Sequence, residues 1–332
     1  MRRFSASFNI AGIALMTAML CGHGALAAAD LSPWKHGIVE AKGDSAFLFM
    51  PLHGGFTEKR GLDVEMVQFA SGSTATRALV AGALDSFESS PVVVMAAMHL
   101  GAPIKVIGCH YPVMTYSLYA GPDINSVEDL RGKNIGVSTP GALPDLFARE
   151  ALSAAGLSAD DFTFGNAGSS SNRFLAVAAG VVAAAASSSE FEVEAEPRGI
   201  KVLIRAAEAT PNLLRSCIFA TSATITSRRA ELVRYLAAAM EGYQHALDHR
   251  DEAVALAREV AGLAANSAIP EFIYDEAVRY SAVTPDLEIP AEMWQWTDDM
   301  MVRHGAAQGQ MDASEFVDDS LRQEALRLLA QE

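Results

Sequence analysis

Two stretches of the chain, 98 positions apart, carry the same punctuation, and no other feature constrains the fold as much. The first, Phe69–Pro91, opens on Ser71, Gly72, Ser73 and Thr74 and runs in a helical pattern to Gly82. It then crosses a short strand-like segment, Ala83–Phe87, and reaches Ser89 and Ser90 before Pro91 opens the next helix. Shifted by 98, Ser71 falls on Ser169, Ser73 on Ser171, Ala78 on Ala176 and Ala81 on Ala179. Gly82 falls on Gly180, and Ser89 and Ser90 fall on Ser187 and Ser188. Alanine and serine are common here, so the shared glycine and the two shared hydroxyl turns carry the weight. Small hydroxylated residues suit the turn before a helix because they serve its first unpaired N–H groups. Those same groups favour an anion or a strong acceptor. Two similar α/β halves with facing loops imply a cleft for something small.

The segments around the repeat support this. Strands are expected at Gly37–Ala41, Leu62–Phe69, Ile104–Gly108, Tyr116–Ala120, Ile135–Ser138, Phe162–Asn166, Val202–Ala206 and Cys217–Ser222. Helices are expected from Ala46, over Val92–Leu100 and over Pro144–Ala155, with helical patterns dominating from Ser227. In Val177–Ala186 the periodicity is ambiguous, and Gly180 splits it into helix end and strand. Alternating strands and helices imply parallel pairing with right-handed crossovers. At 332 residues, half of them hydrophobic, the chain can bury a large core in two lobes.

The formal net charge of −15 excludes the basic footprint of a nucleic-acid binder and electrostatic docking on anionic lipid. Arg2 and Arg3, the apolar run Ile10–Leu20 and the small residues up to Ala29 describe a signal peptide over residues 1–29, cleaved after Ala27 or Ala29. Leu20 before Cys21 does not fit a lipoprotein site, and the arginine pair matches twin-arginine export poorly. Removing two arginines and no acids leaves −17 and implies export to the periplasm. Cys109 and Cys217 then remain, free to pair or to stay as buried thiols.

The motif G-x-F-T-E-K-R-G-L-D-V-E at Gly54–Glu65 is followed by the S-G-S turn, V-A-G-A-L-D at Val80–Asp85 and S-V-E-D-L-R-G-K at Ser126–Lys133. In this order the chain resembles the substrate-binding proteins of nitrate/sulfonate/bicarbonate-type ABC transporters, including the taurine and aliphatic-sulfonate binders, which are related to thiamine-pyrimidine-synthase-like domains. The resemblance covers essentially the whole mature chain. It implies a two-lobed periplasmic-binding-protein type II fold, each lobe a mostly parallel sheet flanked by helices. Lobe one would take residues 36–120, lobe two 121–216, and residues 217–332 would supply a return strand and helices completing lobe one. It also implies a monomeric receptor that captures a small organic anion, a sulfonate or carboxylate, and delivers it to a membrane permease with its ATPase. Hinge strands would lie near Tyr116–Ala120 and Cys217–Ser222. Carried over by position, the contacts are Ser45, Ala46, Phe47, Ser71, Gly72, Ser73, Thr74, Ser89 and Ser90 on lobe one. On lobe two they are Thr139, Gly141, Ala142, Ser169, Ser170 and Ser187. One position departs: Ala183 stands where the family often has an acid, as Asp85 does in the first half.

Each candidate also has a plainer reading. The serines are also helix caps, and Phe47 is a ligand platform or a core aromatic. His110, with Tyr111, follows a strand and either touches ligand or packs a loop. His245 and His249 have metal-compatible spacing but no evident third ligand, so no metal site is expected. One of Trp294 and Trp296 should anchor the C-terminal helices. No nucleophile elbow, phosphate-binding loop or H-E-x-x-H motif is present, so neither catalysis nor a cofactor is expected. The alternatives are an exported sensor subunit binding the same solute, or an enzyme of the thiamine-pyrimidine-synthase-like type.

Overall fold

The computed structural model describes residues 31–332. The expected signal peptide, residues 1–29, lies outside the described residues. Ten strands alternate with helices: β1 (Ser32–Val39), β2 (Leu62–Phe69), β3 (Ser86–Ser89), β4 (Ile104–Val113), β5 (Tyr116–Ala120), β6 (Asn134–Val137), β7 (Thr163–Asn166), β8 (Ala184–Ser188), β9 (Lys201–Arg205) and β10 (Leu214–Thr221). They form two five-stranded sheets, β2-β1-β3-β10-β4 and β7-β6-β8-β5-β9. In the first, β10 runs antiparallel to its neighbours β3 and β4; in the second, β5 runs antiparallel to β8 and β9. The remaining strands of each sheet are mutually parallel, which gives both sheets one plan. This is the two-lobed periplasmic-binding-protein type II fold, and helices flank both sheets.

The 98-residue repeat is physical. Helix Gly72–Val80 and helix Ser170–Ala178 sit at matching positions in the two sheets. Each is capped by the serine before it: Ser71 Oγ accepts from Thr74 N–H and Ser169 Oγ from Asn172 N–H, both at 3.3 Å. Gly82 and Gly180 follow, with φ of 75° and 68°, a left-handed turn that a side chain would strain. Both elements are amphipathic: Ala75, Thr76 and Leu79 are buried on the first, Arg173, Phe174 and Val177 on the second.

Several boundaries differ from the sequence expectation. β1 starts at Ser32, five residues early, and the strand expected at Ala83–Phe87 is the shorter β3, Ser86–Ser89. β4 continues through Val113, so His110 and Tyr111 are strand residues and not loop residues. The polar C-H-Y-P sequence hides this extension. Pro112 is tolerated because β4 is an edge strand. β5 belongs to the second sheet, so the crossing between sheets falls at Met114–Thr115, before that strand and not after it. The return crossing lies between Arg205 and Leu214.

Cys109 and Cys217 form a disulfide between the adjacent strands β4 and β10, with Cα atoms 3.9 Å apart. Both are fully buried, and the bond closes a loop with a sequence separation of 108 that contains the whole second sheet. The long helix Arg229–Asp248 buries one face, including Leu232, Leu236, Met240 and Tyr243, and packs against helices Ser45–His53 and Ser320–Leu329. Trp294 is wholly buried in helix Ala291–Arg303, which touches helix Pro91–His99 on one side and helix Leu143–Ala154 on the other. Trp294 therefore anchors the C-terminal helices, and Trp296 is partly buried at the same core.

Candidate functional site

Four helix starts open onto one cleft of about 490 Å³. Its walls include Ser71, Gly72 and Ser73 at the start of helix Gly72–Val80, and Ser89 and Ser90 before helix Pro91–His99. Facing them are Thr139 and Ala142 before helix Leu143–Ala154, and Ser169 and Ser170 at the start of helix Ser170–Ala178. Each first turn leaves backbone N–H groups without intrahelical partners and carries the positive end of a helix dipole. A Cβ on Gly72 would lie 2.9 Å from Ser89 Oγ, so a larger residue here would displace that hydroxyl from the helix start.

The four starts are not equivalent. Asp145, 2 % exposed, accepts from the N–H of Gly141 at 2.8 Å and from Arg149 Nε at 3.0 Å. Gly141 is thereby occupied and does not line the cleft. The other three helices have no acid in their first turns.

Several expected contacts lie elsewhere. Ala46 and Phe47 are core residues: Phe47 stacks on Tyr274 at 5.9 Å and meets the edge of Tyr111 at 6.4 Å. Helix Ser45–His53 turns its apolar side inward against the long helix, which overrides any role in the main cleft. Ser45 accepts from Lys42 N–H and, like Phe47 and His110, borders a smaller chamber beside the cleft. Thr74 bonds Ser71 and Arg77. Ser187 is buried and bonds both the hydroxyl and the carbonyl of Ser170, fixing that turn from behind.

The charged residues of the cleft were not anticipated. Arg173, 3 % exposed, donates from Nε to the Ala186 carbonyl at 2.6 Å and from Nη1 to the Gly168 carbonyl at 2.7 Å. Burial lowers its pKa, neighbouring Tyr116 raises it in part, and no carboxylate contributes. A guanidinium remains protonated under these conditions, so it is a buried cation whose described surroundings supply no counter-charge. The sequence did hold a signal: Arg173 is the one charged residue between Asp161 and Glu190. Arg215, from β10, instead pairs with Asp44 and lies over the Tyr111 ring, 3.9 Å from its centroid. Burial brings its pKa down to about 10, which leaves it charged.

Glu88, on β3, lines the cleft and accepts from Ser216 Oγ at 2.7 Å. Burial pushes its carboxyl up to about 7, against smaller opposing effects of Ser216 and Lys42. Across the sheets, Ser189 Oγ donates to Glu276 at 2.5 Å, and burial also pushes Glu276 up to about 7. Both folded values exceed the unfolded carboxyl value, so the folded state holds more protons between about pH 4.5 and 7. That stabilisation is complete below the unfolded pKa and is lost as pH rises through 7. Buried, neutral His36 and His110, both held down to about 3, act the other way because the unfolded chain takes up their protons below about pH 6.5, so the ligand-free protein is expected to melt only about 1–2 °C lower at pH 8 than at pH 5.5. Differential scanning calorimetry at the two pH values checks this; equal or higher melting at pH 8 contradicts it.

His245 and His249 stack with ring centroids 3.9 Å apart, and His245 meets Glu252 at 3.0 Å. Among the described residues no group of three or more His, Cys, Asp or Glu side chains is placed to hold a metal ion.

A family model described as NMT1/THI5 like matches residues 42–253. No curated protein matches the sequence. Among solved structures, the chain is similar to the periplasmic aliphatic sulphonate binding protein SsuA from Escherichia coli, with 19 % identity and TM-score 0.73 over 86 % of this chain and 92 % of that one. It is likewise similar to the alkanesulfonate-binding protein SsuA from Xanthomonas axonopodis pv. citri bound to MOPS, with 18 % identity and TM-score 0.71 over 88 % and 99 %. The desulfurization enzyme DSZB shares the fold at 13 % identity and TM-score 0.64, over 89 % and 99 %.

Proposed function

The chain belongs to the NMT1/THI5-like family, and from that premise we propose that it is an exported solute-binding receptor for a small organic anion of the sulfonate or carboxylate class. The observation that carries this reading is Arg173: a buried cation without a carboxylate partner, on the wall of a cleft where helix N-termini converge. A bound anion supplies the missing counter-charge, and charge-assisted hydrogen bonds to it are the strong kind. The helix starts add about 0.3–1 kcal/mol each, more where partly buried. Together these are enough for micromolar binding, about −8 kcal/mol.

The anion touches both sheets, so it favours the arrangement in which they approach, and the crossings at Met114–Thr115 and between Arg205 and Leu214 are where the change is absorbed. The closed form is what a membrane permease with its ATPase would engage, and the likeness to the periplasmic sulphonate binding protein of Escherichia coli supports the same compartment here. The lining supports binding over catalysis: serines, threonine and backbone dominate it, its charged members are Glu40, Lys42, Glu88, Arg173 and Arg215, and it has neither histidine nor thiol among the described residues.

A melting-shift screen of small sulfonates and carboxylates at neutral pH tests the reading. A true ligand at a hundred times its Kd is expected to stabilise the protein by about 2.7 kcal/mol. Turnover of a substrate without any stabilising anion would instead favour an enzyme. Native mass spectrometry of the freshly purified protein gives an independent check through any solute carried along.

A further inference from the structure

Beside the cleft lies a chamber of about 70 Å³, walled by Glu88, His110 and Tyr111 together with the Arg215–Asp44 pair. It joins the cleft through shared wall residues, among them Lys42, Glu88 and Arg215, whereas Arg173 borders the cleft alone. Three buried polar atoms on its walls make no hydrogen bond: Glu88 Oε2, His110 Nδ1 and the Tyr111 hydroxyl. Buried polar groups are nearly always paired, so three orphans around one small space call for an occupant. Two of the three are acceptors once Glu88 is ionised, above about pH 7. Glu88 Oε1 is already served by Ser216, which leaves Oε2 open. Burial lowers the His110 pKa to about 3, so the ring is neutral. Its Nε2 faces Glu88 at 3.7 Å, the side that suits the ring proton, and Nδ1 is then a lone pair.

We propose that this chamber receives a hydrogen-bond-donating end of the solute, so that the ligand is a short organic anion bearing an amine or hydroxyl opposite its acidic group. The inference rests on the receptor reading and adds a second pole to it: Arg173 and the helix starts hold the anion, while Glu88, His110 and Tyr111 accept the donor. The volume fits, since a water takes about 30 Å³ and the chamber therefore takes about two waters or one small terminal group. Sites built to bond a polar group reject the analogue that lacks it, because their own groups are then left unpaired.

The test is calorimetric titration of the protein with three sulfonates of matched length: 3-aminopropane-1-sulfonate, 3-hydroxypropane-1-sulfonate and butane-1-sulfonate. The matched carboxylates 4-aminobutanoate, 4-hydroxybutanoate and pentanoate form a parallel set. In at least one set, the amine or the hydroxyl compound is expected to bind about tenfold or more tighter than the methyl-terminated one. In Glu88→Gln and Tyr111→Phe that ratio should shrink; the second variant is available should the first fail to fold. A smaller ratio or the reverse preference in the unaltered protein overturns the proposal, as does a ratio unchanged in both variants. Water alone then fills the chamber. Should none of these anions bind, the receptor reading itself fails and the inference falls with it.

Discussion

Arg173→Met is expected to weaken binding of the anionic solute about a hundredfold or more, while the protein still folds. The magnitude follows from the burial of the guanidinium: removing one member of a desolvated charge pair costs about 2–5 kcal/mol of binding. What remains in the variant is the set of helix starts, each worth about 1 kcal/mol or less at an exposed site. Arg173→Lys separates charge from geometry. Lysine keeps the positive charge but not the planar fork that reaches the Ala186 and Gly168 carbonyls while presenting its remaining face to the cleft. An intermediate loss, roughly tenfold, is therefore expected for lysine. Calorimetric titration gives the affinities, and the melting temperature of each ligand-free variant reports folding separately. An Arg173→Met affinity within about threefold of the parent would remove this residue from the site, and with it the main argument for an anion.

The second large effect concerns the disulfide. The double variant Cys109→Ala, Cys217→Ala is expected to be less stable by about 2–5 kcal/mol, a fall in melting temperature of about 5 °C or more. The chain-entropy account gives about 4.7 kcal/mol for a loop of about 100 residues, close to the separation of 108 seen here. Both sulfurs are buried between β4 and β10, so lost packing adds to the effect. Equal melting of the variant and the oxidised parent would show that the bond is incidental to stability. Refolding of the parent with and without reductant provides a comparison in which no side chain is deleted.

The parts of this molecule that were legible in the sequence are those fixed locally. A helix start announces itself through a hydroxyl and a glycine, so the repeat, the capping serines and the four turns around the cleft could be read directly from Ser71–Ser73, Ser89–Ser90, Thr139–Ala142 and Ser169–Ser170. The parts that were not legible depend on which way a side chain turns. Arg173 is an ordinary helical arginine until the Ala186 carbonyl of β8 and the Gly168 carbonyl hold it buried on the cleft wall. Phe47 follows a hydroxyl turn as a ligand contact would, yet its helix rolls toward the long C-terminal helix, which lies nearly 200 residues away in sequence, so the ring borders the smaller chamber and not the main cleft. Glu88, and the place of the named candidate His110 within a strand, are obscured in another way. Each interrupts a strand with a polar residue, a pattern that reads as a strand end unless the neighbouring strand is known. The sequence leaves the disulfide open for the same reason: pairing requires β4 beside β10, and only the sheet order decides that.

Tension applied at the two ends of the described chain would travel along β4 to Cys109 and pass directly to Cys217, leaving residues 110–216 without load. At about 3.3–3.6 Å per residue, some 350–390 Å of contour length would stay hidden in a stretching experiment until the sulfur bridge is reduced.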